Sequence, residues 1–564
     1  MGEIVDHKRF GGSKIGWVPA LRWMPNYTTK EFRLDLIAGL SLAAFVIPES
    51  IAYASLAQLP PVTGLYCYLV AGMVYALFGT SRQLAVGPTS ALAIVIASTV
   101  AALGGGDPSR AGALGSAIAL MAGILCVAGR FVGLANAAYF ISDPVLIGFK
   151  TGAALYIAST QLPKLFGLDG VTGNFFVRIA HVVAALPQTH LPSLLFGVAA
   201  IALFVLFERV LPGRPTTLIV VVAAVAVITV FGLSEIGIKI VGDLPSGLPE
   251  VGLLDIHASE ISALIPVALA CFLLAYGETI SVARSFARRY GYDINPEQEL
   301  TAVGAANIAT GMAHGFPVAG GMSQTAVNDM GGASSPGALL VTSGAIALTL
   351  LLFAKFFHNL PEPVLAAIVL MAASRLVRLE ELHRLRIESR PEFWTSMVAC
   401  VGVLCFGLLN GLPLAAVGSL LMLIAQTSRP VVAALGPDRS TGHFVSRARI
   451  PDAGDTPGAL VVRSTSTWLY YNAEHICRRL LDMIDAAPTK ITAVVLDFSS
   501  VPDIDITAGT ILRGLVRTLK ERGIRVEVAE LRDEVVEQLK IIGAEHELGS
   551  LLAHRTIDDC LAGR

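Results

Sequence analysis

The sequence predicts a polytopic α-helical membrane protein, two seven-span repeats of opposite orientation followed by a small α/β domain. Three observations carry that expectation. Apolar runs of about 20 residues recur from Leu34 onward, each long enough to cross a ~30 Å hydrocarbon core. Short motifs of the first half return in the second half in the same order. After Arg429-Pro430 the apolar runs stop and charged residues return at ordinary density.

Composition points the same way. Hydrophobic residues make up 54% of the 564 and charged residues 15%, against ~25% in an average soluble protein. With a mean hydropathy of +0.67, soluble and disordered classes are excluded. A net charge of −2 leaves no electrostatic footprint for nucleic acid. The seven cysteines are scattered, with no CxxC and no Cys/His cluster. They read as small buried hydrophobes, so neither a disulfide framework nor a metal or other cofactor is expected. No nucleophile–base pair or nucleotide loop suggests an enzyme.

In order, the spans fall near residues 34–56, 63–79, 88–103, 111–133, 137–160, 192–211 and 216–233. A second set follows near 261–286, 297–314, 322–333, 337–357, 363–378, 392–408 and 411–427, about fourteen in all. The runs beginning near 88 and 322 are short and open on Gly, Pro, Ser or Thr, which is unusual for a full crossing. Residues 1–33 carry Lys8, Arg9, Lys14, Arg22, Lys30 and Arg33 without a signal-peptide pattern, and are assigned to the cytoplasm. Arg82, Arg130, Arg209, Arg284, Arg288 and Arg384 then also fall inside. The outer loop 234–260 carries Glu235, Asp243, Glu250, Asp255 and Glu260 against Lys239 alone. The expected placement is the inner (plasma) membrane, with both termini cytoplasmic.

Glu49-Ser50-Ile51-Ala52-Tyr53-Ala54 in the first span returns as Glu278-Thr279-Ile280-Ser281-Val282-Ala283 in the eighth. Gly87-Pro88-Thr89-Ser90-Ala91 opens the third span as Met322-Ser323-Gln324-Thr325-Ala326 opens the tenth. Asp143-Pro144-Val145-Leu146 and Glu362-Pro363-Val364-Leu365 likewise open the fifth and twelfth. An odd number of spans per copy turns the second upside down, with repeats at about 34–234 and 261–430. Inverted copies with interrupted segments at matching positions mark a secondary transporter whose substrate sits at mid-membrane.

In residues 440–564, Leu460–Arg463, Ile491–Phe498 and Arg525–Leu531 read as strands. Ala473–Ala487, Ala508–Arg522 and Asp533–Ile542 read as amphipathic helices, so this tail is a cytoplasmic α/β domain.

The chemistry should lie at the interrupted segments. A helix N-terminus presents unpaired N–H groups and roughly half a positive charge. Thr89-Ser90 and Ser323-Gln324-Thr325 would set two such ends face to face, an anion site without a fixed cation; the bland alternative is ordinary helix capping. Two ends sum to about one positive charge, enough for a monovalent anion and short for a dianion. Glu49 and Glu278 lie inside spans, where a charge costs at least ~2.5 kcal/mol and so usually faces a cavity. Glu278 is read as a reversible proton carrier, with a structural hydrogen bond across the repeat as the alternative. Sodium would want further oxygen ligands, and Val282, one turn on, offers none. Pro48 is expected to break the first helix and bring Glu49 close to water. Lys150 either snorkels to the interface or supplies the extra positive charge a dianion needs. Gly311-x-x-x-Gly315 reads as helix packing. In the tail, Asp497, Asp503, Asp505 and Thr507 cluster between a strand and a helix, where turn and capping duty explains them better than a magnesium or phosphoryl site.

Leu59-Pro60-Pro61-Val62-Thr63-Gly64-Leu65-Tyr66, Gly79-Thr80-Ser81-Arg82 and the segment from Gly320 to Asn328 resemble the sulfate permease family of anion transporters. The tail resembles a STAS domain, a module shared by sulfate transporters and anti-sigma-factor antagonists. The resemblance covers nearly the whole chain. It implies core and gate domains in elevator-like motion, a homodimer supported by the STAS domains, and a cytoplasmic regulatory partner there. It also implies an anion held by Glu49, Tyr53, Thr89, Ser90, Ser323 and Gln324, with ion coupling at Glu278. Two departures stand out. Many exchangers of the family have arginine where this chain has Gln324, and glutamine often stands where it has Glu49. A second carboxylate repels an anion unless protonated, so both departures favour symport with protons and draw attention to Lys150. Phosphorylatable antagonists carry serine where Ile506 follows Asp505, so no phospho-switch is expected there.

The expected function is proton-coupled import of a small inorganic or organic anion, sulfate by default, with bicarbonate or a dicarboxylate next. The expected partners are that anion, protons rather than sodium, membrane lipid and a second copy of the chain. The alternatives are an uncoupled chloride/bicarbonate exchanger or channel and, from another class, a membrane-anchored STAS signalling scaffold. Transport that survives deletion of residues 440–564 would exclude the scaffold.

Overall fold

The computed structural model describes residues 18–564 apart from 106, 134–142, 172, 211–215, 234, 243–244, 246, 253–257, 375, 439–441, 451–452, 549–550, 552–554 and 563–564. Lys8, Arg9, Lys14, Asp243 and Asp255 lie outside the described residues. Two compact units, Met1–Ser419 and Leu420–Arg564, each carry their own core.

The first unit is helical. Its elements are α1 (Thr29–Leu56), α2 (Val62–Phe78), β1 (Val86–Gly87), α3 (Ser90–Leu103), α4 (Pro108–Phe131) and α5 (Asp143–Phe166). Then come α6 (Phe175–Ala185), α7 (Leu191–Val210), α8 (Thr216–Phe231), α9 (Ala258–Tyr290), α10 (Pro296–Met312), β2 (Ala319–Gly320) and α11 (Met322–Met330). The set ends with α12 (Gly337–Leu348), α13 (Glu362–Ser374), α14 (Leu379–Glu388) and α15 (Arg390–Thr427). By length and apolar composition, α1, α4, α7, most of α9 and the run Gly337–Asn359 can cross a membrane, while α2, α3 and α8 are shorter apolar helices.

Two local expectations change. α1 runs unbroken through Pro48, and Glu49 is buried at 3% exposure rather than close to water. Interior proline removes one hydrogen bond, a loss that packed neighbours tolerate in a membrane helix. The expected runs 392–408 and 411–427 both lie within α15, which consists of two helices meeting at a kink at Gly407, at φ 79° and ψ 174°, a conformation only glycine adopts cheaply. The short helices α6 and α14 were not anticipated, because neither is a membrane-length apolar run.

Packing sorts the helices into two groups. α10 lies along α4 and α2, α12 along α1 and α2, and α9 along α4. Separately, α13 lies along α5 and α7, and α7 along α8. The groups meet chiefly where α1 touches α8 and α13. Within the first group contact reaches the backbone: a Cβ on Gly311 would stand 2.7 Å from the Ser116 carbonyl oxygen. Ser116 Oγ also donates to the Gly315 carbonyl at 2.9 Å, so this glycine pair does serve packing.

The second unit contains β3 (Val432–Pro437), β4 (Phe444–Ser446), β5 (Ala459–Ser464), α16 (Ala473–Asp485), β6 (Ala493–Asp497), α17 (Ile506–Glu521), β7 (Arg525–Ala529) and α18 (Asp533–Ile541). Its sheet runs β4-β3-β5-β6-β7, parallel from β5 to β7 and antiparallel at β3 and β4. The expected strands and helices are all present. β3 and β4 went unread because one adjoins the last apolar run and the other is very short, so the sheet begins ahead of residue 440. Asp505 caps α17, accepting the Ala508 N–H at 2.7 Å and the Tyr470 N–H at 2.8 Å. Asp497 accepts from Arg463 at 2.6 Å. Capping and pairing thus account for both carboxylates.

Glu547 accepts two hydrogen bonds from Arg513, at 2.9 and 3.0 Å, and one from Arg517 at 3.0 Å. The Arg513 bonds first, then those of Arg517, hold its carboxyl down to about 2. A folded-state value below the unfolded one contributes stability above the ordinary carboxylate range, and that contribution disappears as pH falls toward 2. Glu547→Gln is therefore expected to speed hydrogen exchange in α17 of the full-length protein at pH 7 and to change little near pH 2. An equal acceleration at both pH values would count against this pairing.

Candidate functional site

The site is built on a two-stranded crossing. β1 and β2 pair antiparallel, Val86 opposite Gly320 and Gly87 opposite Ala319. β1 leads through Pro88-Thr89 into α3, and β2 leads through Gly321 into α11. Antiparallel strands send their following helices in opposite directions, so the two helix N-termini start from one crossing. This is the geometry of an inverted repeat, and it directs two sets of helix-end N–H groups toward a shared region.

So short a strand pair leaves backbone groups without a ladder partner, and in a bilayer each must be satisfied. Asn307 of α10 donates to the Val318 carbonyl and accepts the Val318 N–H, both at 2.9 Å. Thr279 Oγ1 accepts the Gly320 N–H at 2.8 Å, and Thr325 Oγ1 accepts the Ala85 N–H at 3.0 Å. Asn328 donates to the Gln83 carbonyl at 2.8 Å. Sequence reasoning saw Thr279 only as a member of a repeat, placed Thr325 at a helix end rather than on β1, and missed Asn307 and Asn328. Their signal was there: amides inside otherwise apolar or Gly-rich segments.

Thr89 is the N-cap of α3 and Ser90 its first residue, both buried. No side chain caps α11, and Ser323 stands half-buried in its first turn. The Thr325 hydroxyl is turned to β1 rather than to a helix end. Gln324 Nε2 donates to Glu49 Oε2 at 3.1 Å and to the Pro88 carbonyl at 2.9 Å, while the Tyr53 hydroxyl donates to Glu49 Oε1 at 2.8 Å. Glu49, Tyr53 and Gln324 therefore form one cluster that ties α1 and α11 to the entry of α3.

Beside this cluster lies Tyr68 of α2, which sequence reasoning passed over because an aromatic in an apolar span is normally core. Its ring backs onto β1: a Cβ on Gly87 would stand 2.2 Å from it. Its hydroxyl is buried without a hydrogen-bond partner, as is Gln324 Oε1, and it lies within electrostatic reach of Glu49 and Tyr53. Buried unsatisfied polar atoms are rare enough to need a reason, and the Tyr68 hydroxyl is a donor that a ligand could use.

Glu278, half-buried on α9, lies close enough to the Thr89 side chain and to Lys150 of α5 for both to act on its carboxyl. Lys150 is itself half-buried and acts on Glu278 through its charge. Thr89 thus links the carboxylate to the start of α3. A cavity of about 910 Å³ borders the C-terminal ends of α1, α3 and α5, whereas a void of only about 20 Å³ borders Glu49 and Glu208.

Residues 32–399 match the sulfate permease family, and residues 451–560 match the STAS domain. The chain belongs to the sulfate permease family. Its resemblance to that family, drawn from Leu59–Tyr66, Gly79–Arg82 and Gly320–Asn328, is thereby borne out. A protein named as a probable sulfate transporter of Mycobacterium tuberculosis is 32% identical over 539 residues, covering 95% of this chain and 96% of that one. Low affinity sulfate transporter 3 of Stylosanthes hamata is 29% identical, covering 100% and 95%. Among solved structures, the murine Slc26a9 anion transporter in the inward-facing state superposes with a TM-score of 0.88 at 22% identity, covering 99% and 96%. The transmembrane domain of the cyanobacterial bicarbonate transporter BicA gives 0.59 at 20% identity, covering 70% and 98%. This member of the sulfate permease family is accordingly a multi-pass membrane anion transporter with a STAS domain.

Proposed function

We propose that this chain imports a small anion, sulfate before bicarbonate or a dicarboxylate, together with protons, and holds it between the N-termini of α3 and α11. The carrying observation is Glu278, an acid set beside the Thr89 cap of α3 with Lys150 acting on it. Two helix ends supply about one positive charge, and Lys150 supplies another. An ionised Glu278 cancels one of these, and a protonated Glu278 restores it, so a dianion fits best after proton uptake. Glu49, held by Tyr53 and Gln324, positions the α11 end. Ser90 and Ser323 complete the two helix starts, and Tyr68 offers a further donor.

The two helix groups are read as core and gate, the core carrying the crossing and sliding along α8 and α13. With α1 running outward, as the basic N-terminal segment suggests, the large cavity is external and the small void internal. Fourteen spans, cytoplasmic termini and a homodimer complete the proposal.

The test is labelled sulfate uptake into proteoliposomes with and without an inward proton gradient. Gradient-driven accumulation is the expected result; sulfate flux indifferent to pH would favour the uncoupled exchanger, and no sulfate flux would move the search to bicarbonate and dicarboxylates. Lys150→Ala is expected to cut uptake of a divalent anion at least tenfold, about 1.4 kcal/mol, while sparing monovalent anions. Unchanged sulfate uptake in that variant would remove Lys150 from the mechanism.

A further inference from the structure

The large cavity carries polar machinery that the central site does not use. Its charged lining consists of Lys164, Arg178 and Lys239 against Asp169 and Glu362. Lys239 pairs with Asp169 at 3.0 Å at its exposed rim, and Lys164 lies under the influence of Glu362. Among the described residues, Arg178 is the cation of this lining left without an acidic partner. Asn174 caps α6 by accepting the Val177 N–H at 3.0 Å, which fixes the turn from which Arg178 projects. The guanidinium lies 4.6 Å from the centroid of the Tyr156 ring, a cation–π contact that holds the fork in one orientation. Tyr156 is itself tethered, its hydroxyl 3.5 Å from the Gly173 carbonyl and beside the break at Gly407. One nitrogen of the Arg178 fork, Nη1, is buried without a hydrogen-bond partner among the described residues.

A planar fork with unused N–H groups, immobilised on an aromatic face inside a cavity, is suited to a tetrahedral or planar oxyanion bound through two oxygens. A spherical halide gains less from it. We propose that Arg178, seated on Tyr156, forms a second anion site in the vestibule, which captures an oxyanion before it reaches the helix ends. The proposal rests on the transport reading only for its purpose; binding at Arg178 can be measured without transport.

The experiment uses the full-length protein. Phenylglyoxal modification of Arg178 is followed by mass spectrometry at constant ionic strength, with sodium sulfate or sodium chloride as the probe. Sulfate is expected to slow modification at least fivefold, chloride much less, and Gln324→Ala should leave this protection intact. Equal rates with and without sulfate would overturn the proposal. So would protection that vanishes in Gln324→Ala, because Arg178 would then merely report the central site.

In vesicles, Arg178→Gln is expected to raise the KM for sulfate about tenfold when the anion is presented to the vestibule face, with kcat and the KM from the opposite face unchanged. Tyr156→Phe should behave as wild type and Tyr156→Leu should resemble Arg178→Gln; an equal KM rise from both faces would also reject the site. Protection of Arg178 in a protein that moves no sulfate would refute the transport reading and leave the vestibule site standing. Transport without protection would do the reverse.

Discussion

In vesicles held at zero membrane potential with an inward gradient of one pH unit, the wild-type protein is expected to concentrate sulfate about tenfold per coupled proton. Glu278→Gln is expected to bring internal sulfate no higher than external. The reason is a difference between binding and coupling. Glutamine reproduces the neutral, hydrogen-bonding form of the side chain, so the Thr89 contact survives and the charge opposing the anion is absent. What is lost is the ability to pick up a proton on one side and release it on the other. The variant should therefore still exchange labelled for unlabelled sulfate while failing to accumulate it. Accumulation that persists in the variant would assign coupling elsewhere, with Glu49 as the next carboxylate to change. Loss of exchange as well would make Glu278 part of the binding structure.

Asn307→Leu is expected to be the most disruptive single change at the crossing. Asn307 makes hydrogen bonds to Val303 and, in both directions, to Val318. Val318 is fully buried, so leucine would leave its N–H and C=O without partners. Each orphan costs about 1–3 kcal/mol, and two together make up a large share of a typical total stability of roughly 5–15 kcal/mol. The expected outcome is a lower melting temperature in detergent and no measurable uptake. Normal melting with normal uptake would mean that the β2 backbone is satisfied in another way. Asn307 is thus a positioning residue: it acts on β2, and through β2 on the start of α11.

Much of this was legible in the residues. Length and hydropathy of the runs located the helices, because an apolar segment of membrane length has few alternatives. The repeated Glu49 and Glu278 motifs located the inverted halves, and the glycine- and hydroxyl-rich openings at 88 and 322 located the two helix starts. The tail declared its alternating strands and helices, and Asp505 declared its cap. Other features left little trace. β1 and β2 are too short to show a period, so their pairing could not be read. Pro48 looked like a break and proved to be an interior residue of a continuous helix, since packing around α1 outweighs one missing hydrogen bond. Tyr68 looked like a core aromatic and Arg178 drew no notice, and only their surroundings set them apart.

By itself, then, the sequence determined which segments leave water, the order in which they do so, the inversion of the two halves and the family to which they belong. These are one-dimensional properties, set by the partition of each segment between water and lipid. The tertiary structure alone decided that Gln324 would meet Glu49 from 275 residues away, that Thr89 and Lys150 would both act on Glu278, and that Arg178 would lie on Tyr156. Hydrogen bonds and charge contacts fail when their partners are displaced by an ångström or so, and partners that far apart in the chain are brought to that precision only once the helices between them have packed.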